Sequence, residues 1–349
     1  MSQRVVLSLD AMGGDRAPEV VIEGLRIARQ RFPQVHFLVF GDERRLAPLL
    51  EKQASVVDFC TVRHTEHAVS NEDKPSQALR TGRNTSMWRA IQAVKDGEAD
   101  GIVSAGNTGA LMAMAKVMLR TLPGINRPAI ATVLPTRRGE SVMLDLGANS
   151  DCDAQNLVDF AIMGEVFARS VLGLENPTVG LLNIGAEDVK GNDAVRTASA
   201  ILKSSKLPIH FYGFVEGDDI GAGTVDVVVT DGFTGNVALK TAEGTAKLLS
   251  GFLKEAFSSS LAARLGYLLA RSALNKVKLR SDPRRYNGAM FLGLNGICVK
   301  SHGGTDEIGF ANAIGVAANL VIHGFNERIK QEFNDLQMSV APTVAVVGG

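Results

Sequence analysis

Short apolar runs rich in β-branched residues alternate with helical patterns along most of this 349-residue chain, and that alternation restricts its fold more than any other feature. The runs fall at 5–9, 35–40, 101–105, 129–134, 141–146, 178–184, 209–214, 225–230 and 289–299. Helical spacing occupies 18–31, 42–53, 84–96, 107–120, 153–172, 192–204, 234–275 (with room for a break) and 305–332. Strand, helix, strand in succession builds βαβ units, which make strands parallel and place helices on both faces of the sheet. The expected fold is α/β, a three-layer αβα arrangement on a mostly parallel sheet. No internal repeat or low-complexity linker stands out, so 1–335 reads as one unit with a cleft. Residues 336–349 are small and apolar without helical period and are expected to be loosely held.

Composition closes off several classes. Lys and Arg number 37, against 37 Asp and Glu, which argues against a dedicated nucleic-acid binder, since such chains are basic overall. Cys60, Cys152 and Cys298 are far apart and no CxxC occurs, so neither a disulfide framework nor a zinc site is indicated and a reducing cytosol is the default. His64 and His67 have H-x-x-H spacing but no third ligand in view, and metal is not expected. There is no signal-peptide pattern and no bilayer-length apolar run.

The chemistry is concentrated just after the strands, where ligands sit in open α/β sheets. The first strand ends at Asp10, followed by Gly13, Gly14 and Asp15, with Pro18 opening a helix. Strand, glycine turn and helix start bring backbone N–H groups toward one point, which suits an anion; an ordinary tight turn explains the same residues. Further along come Gly106-Asn107-Thr108-Gly109, Gly147-Ala148-Asn149, Gly185-Ala186-Glu187, Asp231-Gly232-Phe233-Thr234-Gly235-Asn236 and Ser301-His302-Gly303-Gly304. Five strand ends lined by Gly with Asn, Thr, Ser or His exceed what turns require. They read as one rim of N–H groups and small neutral donors for an oxyanion-rich reactant. Lys190, Lys240 and Lys300 lie near these loops; a solvated charge is the ordinary reading of each, and a place beside a Gly-rich loop strengthens the functional one for Lys190 and Lys300. His302 is an acid/base candidate. Neither a Walker A motif nor a GxGxxG after a strand is present.

The stretch 248–285 differs in kind. Leu249, Phe252, Leu253, Phe257, Leu261, Leu265, Leu268 and Leu269 recur at helical spacing beside Arg264, Arg271, Lys278, Arg284 and Arg285. Such an apolar face rimmed by cations can lie on a membrane or dock an acidic partner; from the residues alone, packing on its own core or on a second copy is the preferred reading.

Eight motifs carry a resemblance over residues 2–330. They are "DAMGGD" at 10–15, "DKPSQALR" at 73–80, "VSAGNTGALM" at 103–112, "LDLGANSDCD" at 144–153, "LLNIGAEDVKGND" at 181–193, "DGFTGNVALKT" at 231–241, "YNGAMFLGLNG" at 286–296 and "KSHGGTD" at 300–306. On these the chain resembles the phosphate acyltransferases of bacterial phospholipid synthesis, which move a fatty acyl group from acyl carrier protein to inorganic phosphate. The resemblance implies an isopropylmalate dehydrogenase-like or phosphotransacetylase-like fold, a homodimer, no cofactor and no metal. It also implies cytoplasmic location at the membrane surface, near the downstream glycerol-phosphate acyltransferase. The expected roles follow that reaction. Gly13, Gly14, Asn107, Thr108, Gly109, Asn183, Gly185, Gly232, Thr234, Gly235 and Asn236 would bind phosphate or the oxyanion. Lys190 would neutralise charge, His302 would protonate the leaving thiolate, and Asp10, Asp15 and Asp231 would orient donors. Arg264, Arg271, Arg284 and Arg285 would dock the carrier, and Phe257, Leu261, Leu265 and Leu268 would touch the membrane. An enzyme using acyl-coenzyme A and a non-catalytic organiser that binds acyl carrier protein remain the alternatives.

Overall fold

The computed structural model describes residues 5–331 except 206, 208 and 281. The first half holds β1 (Val5–Asp10), α1 (Glu19–Arg31), β2 (Val35–Gly41), α2 (Glu43–Glu51), α3 (Ala54–Val57), β3 (Cys60–His64), α4 (Pro75–Thr81), α5 (Ser86–Lys95), β4 (Gly101–Ser104) and α6 (Thr108–Leu119). The second holds β5 (Ala129–Pro135), β6 (Glu140–Leu144), α7 (Ala154–Leu172), β7 (Thr178–Leu182), α8 (Asp193–Ser204), β8 (His210–Val215), α9 (Gly217–Ala222) and β9 (Val227–Val229). The chain continues with α10 (Gly232–Ser258), α11 (Leu261–Arg280), β10 (Ala289–Leu292), β11 (Ile297–Lys300) and α12 (Glu307–Ile322).

All the strands form one sheet, in the order β3-β2-β1-β4-β11-β10-β5-β6-β9-β7-β8. Period-two alternation sorts their side chains to two faces. On β2, Phe37 and Val39 join a core with Leu25 of α1, Phe160 of α7 and Phe310 of α12. Leu38 and Phe40 join the other core, with Met87 and Ile91 of α5 and Leu111 and Met114 of α6. Helices therefore cover both faces, and the architecture is αβα on a mostly parallel sheet.

Strand direction departs from the expected single rim. β1, β2, β3, β4 and β11 run parallel, and β6, β9, β7 and β8 run parallel. Between them β10 pairs antiparallel with β11 and β5, and β5 antiparallel with β6. The two parallel sets thus run in opposite senses, and the strand-end loops fall into two groups. β10 is antiparallel to both its neighbours and leaves β5 parallel to β11, so the net reversal is made by the β5–β6 hairpin. The apolar run 289–299 is itself not one strand but the hairpin β10–β11, turning at Gly293, whose φ of +83° suits glycine. The edge strand β3 and the helix α4 also lie outside the expected elements. The tail at 336–349 lies outside the described residues.

The two halves also share a plan that the sequence reading does not register as a repeat. In the first, Asp10 of β1 sits opposite Ser104 of β4, two residues before Gly106. In the second, Asp145 N donates to Thr230 O at 3.0 Å, two residues before Gly232. Ser104-Ala105-Gly106-Asn107-Thr108-Gly109 matches Thr230-Asp231-Gly232-Phe233-Thr234-Gly235, and each segment starts a helix.

α10 and α11 stand apart from the core. Of the 27 residues of α10 only Gly232 and Gly235 are buried, and α11 buries none. Leu261, Leu265, Leu268 and Leu269 are each at least 60% exposed, while Phe257 packs edge-on against Tyr267 at 5.6 Å. Among the described residues no single helix is long and apolar enough to cross a membrane.

Candidate active site

The first loop group lies at the ends of β1, β4 and β11, where register aligns Asp10, Ser104 and Lys300 in one row. Asp10 is buried and accepts from Ser86 Oγ at 2.6 Å and Ser104 Oγ at 2.7 Å. Ser104 Oγ in turn accepts from Gly106 N at 3.1 Å, so the carboxylate fixes the start of the Gly106 loop. Burial raises the Asp10 pKa despite these bonds. Gly13 permits the approach: a Cβ there would lie 2.4 Å from Asp10 Oδ2 and 2.8 Å from Gly106 N. Lys300 is buried, with Nζ donating to Ala105 O at 3.3 Å and to Ser301 O. Burial lowers its pKa to about 8, against the opposing pull of Asp10 and Asp15.

Asn107 caps α6, its Oδ1 accepting from Ala110 N at 3.0 Å. Its Nδ2 donates to the carbonyls of Ser70, Asn71 and Asp73. That side chain is therefore occupied by the cap and the 70–73 loop, which leaves exposed Thr108 as the free donor there. Gly109 lies against Pro75 of α4. Asp15 accepts from Asn71 Nδ2 at 2.9 Å, and its N–H donates to Gly303 O at 3.0 Å. His302 is exposed; Nδ1 accepts from Gly304 N at 3.1 Å, so in the neutral ring Nε2 carries the proton. Asn287 Oδ1 accepts from His302 N at 2.8 Å, and its Nδ2 donates to Ser301 Oγ and Gly309 O.

The second group lies at the ends of β6, β9 and β7. Asp145 organises it. Its Oδ1 accepts from the N–H groups of Ile130, Gly147 and Ala148, and Oδ2 from Asn149 N and Nδ2, all at 2.8–3.1 Å. Burial still raises its pKa. The first turn of α10 packs on this loop through glycines: a Cβ on Gly232 would lie 2.6 Å from Asn149 O, and one on Gly235 would lie 1.9 Å from Asp145 O. Asp231 caps the helix, accepting from Thr234 N at 2.8 Å and Thr234 Oγ1 at 2.7 Å. Asn236, exposed, faces Gly147. On the β7 loop, Asn183 Nδ2 donates to the carbonyls of Gly185 and Lys190. Lys190 is exposed and folds back over Gly185.

Other candidates separate. Lys240 pairs with Glu243 at 2.9 Å. Arg284 is held by Asp282 at 2.6 Å and Asp306 at 3.0 Å, and Arg285 reaches Leu279 O. Arg264 and Arg271 are exposed on α11. Burial pushes the Cys60 and Cys152 thiols up to about 12 and raises Cys298 as well, so none is a ready thiolate nucleophile. Asp145 was not singled out from sequence, although LDLGANSD beside LDAMGGD marks the equivalent carboxylate. Ser86, Ser104 and Asn287 carry no sequence signal beyond lying in or near the quoted motifs.

The fold and its two loop groups place this chain among α/β proteins of phosphotransacetylase architecture. A phosphotransacetylase from Streptococcus pyogenes matches with a TM-score of 0.63 over 91% of this chain and 94% of its own, at 17% identity. EutD phosphotransacetylase from Staphylococcus aureus matches at 0.58 over 92% and 95%, at 19% identity. Sequence narrows the class further. The family model described as "Fatty acid synthesis protein" matches residues 5–328. Proteins named phosphate acyltransferase are 65% identical over 100% of this chain and 99% of their own in Paramagnetospirillum magneticum, and 67% identical over 99% of both in Rhodospirillum rubrum. The chain belongs to the phosphate acyltransferase family, and is an acyltransferase of fatty acid and phospholipid synthesis.

Proposed function

We propose that this protein transfers a long-chain acyl group from acyl carrier protein to inorganic phosphate, giving an acyl phosphate for phospholipid synthesis. One observation carries the reading: two glycine-rich helix starts, each set on a buried aspartate, present N–H groups and small neutral side chains, with exposed Lys190 on the loop of the strand next to β9. A substantial share of inorganic phosphate is dianionic at neutral pH, so it needs no strong base and no enzyme nucleophile. A phosphate oxygen attacks the thioester carbonyl, the C–O bond forms, and the carbonyl oxygen becomes an oxyanion. Collapse breaks the C–S bond and releases pantetheine thiolate, which takes a proton.

In this reading Lys190 offsets phosphate charge. Asn236 and the Phe233 N–H at the start of α10 hold the dianion or the oxyanion, while Asp231 fixes that turn by accepting from Thr234. Removing one oxyanion donor costs ~2.7–4 kcal/mol of barrier, a ~10²–10³-fold effect. The reading requires the two loop groups to face one bound reactant, with Thr108 and the Gly13–Gly14 turn adding donors from the first group and His302 Nε2 supplying the thiolate proton. Arg264 and Arg271 dock the acidic carrier. The exposed leucines of α11 meet a second copy or the cytoplasmic membrane surface, which sets the product beside the next acyltransferase.

The test is to mix the protein with palmitoyl-acyl carrier protein and phosphate and follow thiol release. Phosphate-dependent release with hydroxylamine-trappable acyl phosphate is expected. Release from palmitoyl-coenzyme A alone would move the donor assignment to coenzyme A, and inertness toward both would refute the reading.

A further inference from the structure

The two loop groups share a frame but differ in how the buried aspartate is balanced, and that difference has a consequence for the first group. Asp145 is satisfied entirely by uncharged donors. Asp10 has two serine hydroxyls, and the neighbouring strand end adds the buried cation Lys300. We propose that Lys300 is a positioning residue for the first loop group, its ammonium clamping the Gly106 loop to the His302 loop and balancing Asp10 and Asp15. The proposal rests on the acyl-transfer reading given above.

The geometry is specific. Lys300 stands at the end of β11, opposite Ser104 of β4, which stands opposite Asp10 of β1. Its side chain turns inward, leaving the residue 9% exposed, and Nζ donates to Ala105 O on one loop and Ser301 O on the other. Ala105 immediately precedes Gly106, and Ser301 immediately precedes His302. The third loop is joined to them where Asp15 N donates to Gly303 O. One ammonium thereby sets how Thr108 and His302 lie relative to each other. The charged groups facing it are Asp10 from β1 and Asp15 from the following turn; Ser86 from α5 and Ser104 from β4 are neutral partners of Asp10. A neutral amine would keep N–H donors for both carbonyls but leave the two carboxylates without a counter-charge. Since burial brings the Lys300 pKa to about 8, that loss falls within an accessible pH range.

The experiment compares wild type, Lys300→Met and Lys300→Arg in phosphate-dependent thiol release from palmitoyl-acyl carrier protein between neutral and alkaline pH. Circular dichroism and thermal melting run alongside. Wild-type kcat is expected to fall above pH about 8. Lys300→Met should lose about 10²-fold in kcat, as for a misplacement near 1 Å, with little change in KM for the carrier. Lys300→Arg should keep part of the activity and lose the alkaline fall, because a guanidinium stays charged. An alkaline fall unchanged in Lys300→Arg, or wild-type kcat in Lys300→Met, would overturn the assignment. If wild type itself releases no thiol, the acyl-transfer reading fails, and melting decides on Lys300 alone. A lysine whose pKa is lowered on folding makes the wild type gain stability relative to Lys300→Met as pH rises from about 8 toward 10.5. A constant gap across that window would also overturn the proposal.

Discussion

Gly235→Ala is a severe perturbation confined to one methyl group. The added carbon would lie 1.9 Å from Asp145 O and 2.9 Å from Thr230 Cγ2, where ordinary contact begins at 3.4 Å. The oxygen cannot rotate away, since it is main chain in a loop whose side-chain carboxylate accepts five hydrogen bonds. The first turn of α10 must therefore retreat by about 1 Å or more, at a stability cost of about 1–3 kcal/mol. Thr234 and Asn236 move with it. A displacement of about 1 Å at a reacting centre costs ~10²-fold in rate, so kcat for phosphate-dependent thiol release should fall by that order while the protein still melts cooperatively. Gly221→Ala is the control: it lies in α9 with nothing within 4 Å of the added carbon. It should leave activity intact and gain up to about 1 kcal/mol from helix propensity. A Gly235→Ala enzyme of near wild-type kcat would refute the placing of the α10 start at the reacting centre.

Three other outcomes are expected. Burial raises the Asp159 pKa from 3.8 to about 6, and one of its oxygens lacks a hydrogen-bond donor. The folded state then holds the extra proton between those values, so stability is lost as pH rises through about 6. Asp159→Asn should accordingly stabilise at pH 7 by up to about 3 kcal/mol and do little at pH 4, read by melting. Asn107→Ala removes the α6 cap, worth about 0.5–2 kcal/mol, and frees the carbonyls of Ser70, Asn71 and Asp73; faster amide exchange around 70–73 with a lowered melting point is the signature. Charge reversal at Arg264 and Arg271 should raise KM for the carrier protein and flatten its salt dependence without lowering kcat; unchanged KM would move docking off α11.

How much the sequence disclosed depended on whether a signal was local. β1, its glycine turn and the α1 start are legible at 5–31 because β-branched runs, Gly-Gly and a helix-opening Pro18 each act over a few residues. The two opposed strand directions are hidden because apolar runs do not tell an antiparallel hairpin such as β5–β6 from a parallel neighbour, and the strand β10 is hidden by the β10–β11 turn. Gly293 interrupts an otherwise continuous apolar run there, and periodicity does not tell one strand from a tight hairpin. α4 escaped because its seven residues carry little apolar period. At the site, glycines and caps announced the loops, yet the buried charges did not announce themselves. Asp145 looks like a turn residue until tertiary packing removes it from water, and Lys300, marked in sequence by its place beside a glycine-rich loop, shows its burial only in the fold. Asn107 shows the converse, a motif residue whose amide is claimed by a loop over thirty positions earlier in the chain.

The α10–α11 pair has a thermodynamic consequence of its own. Apart from the two glycines at its root it shares almost no core with the sheet, so the free energy that folds the sheet does not hold the pair together. Most helical stability in proteins comes from packing of an amphipathic face, and the exposed leucines of α11 have little of it, so melting of the sheet unit and of the pair become separable events. The pair can accordingly change its sequence to suit a new contact surface while the candidate site loops, anchored on Asp10 and Asp145, keep their geometry.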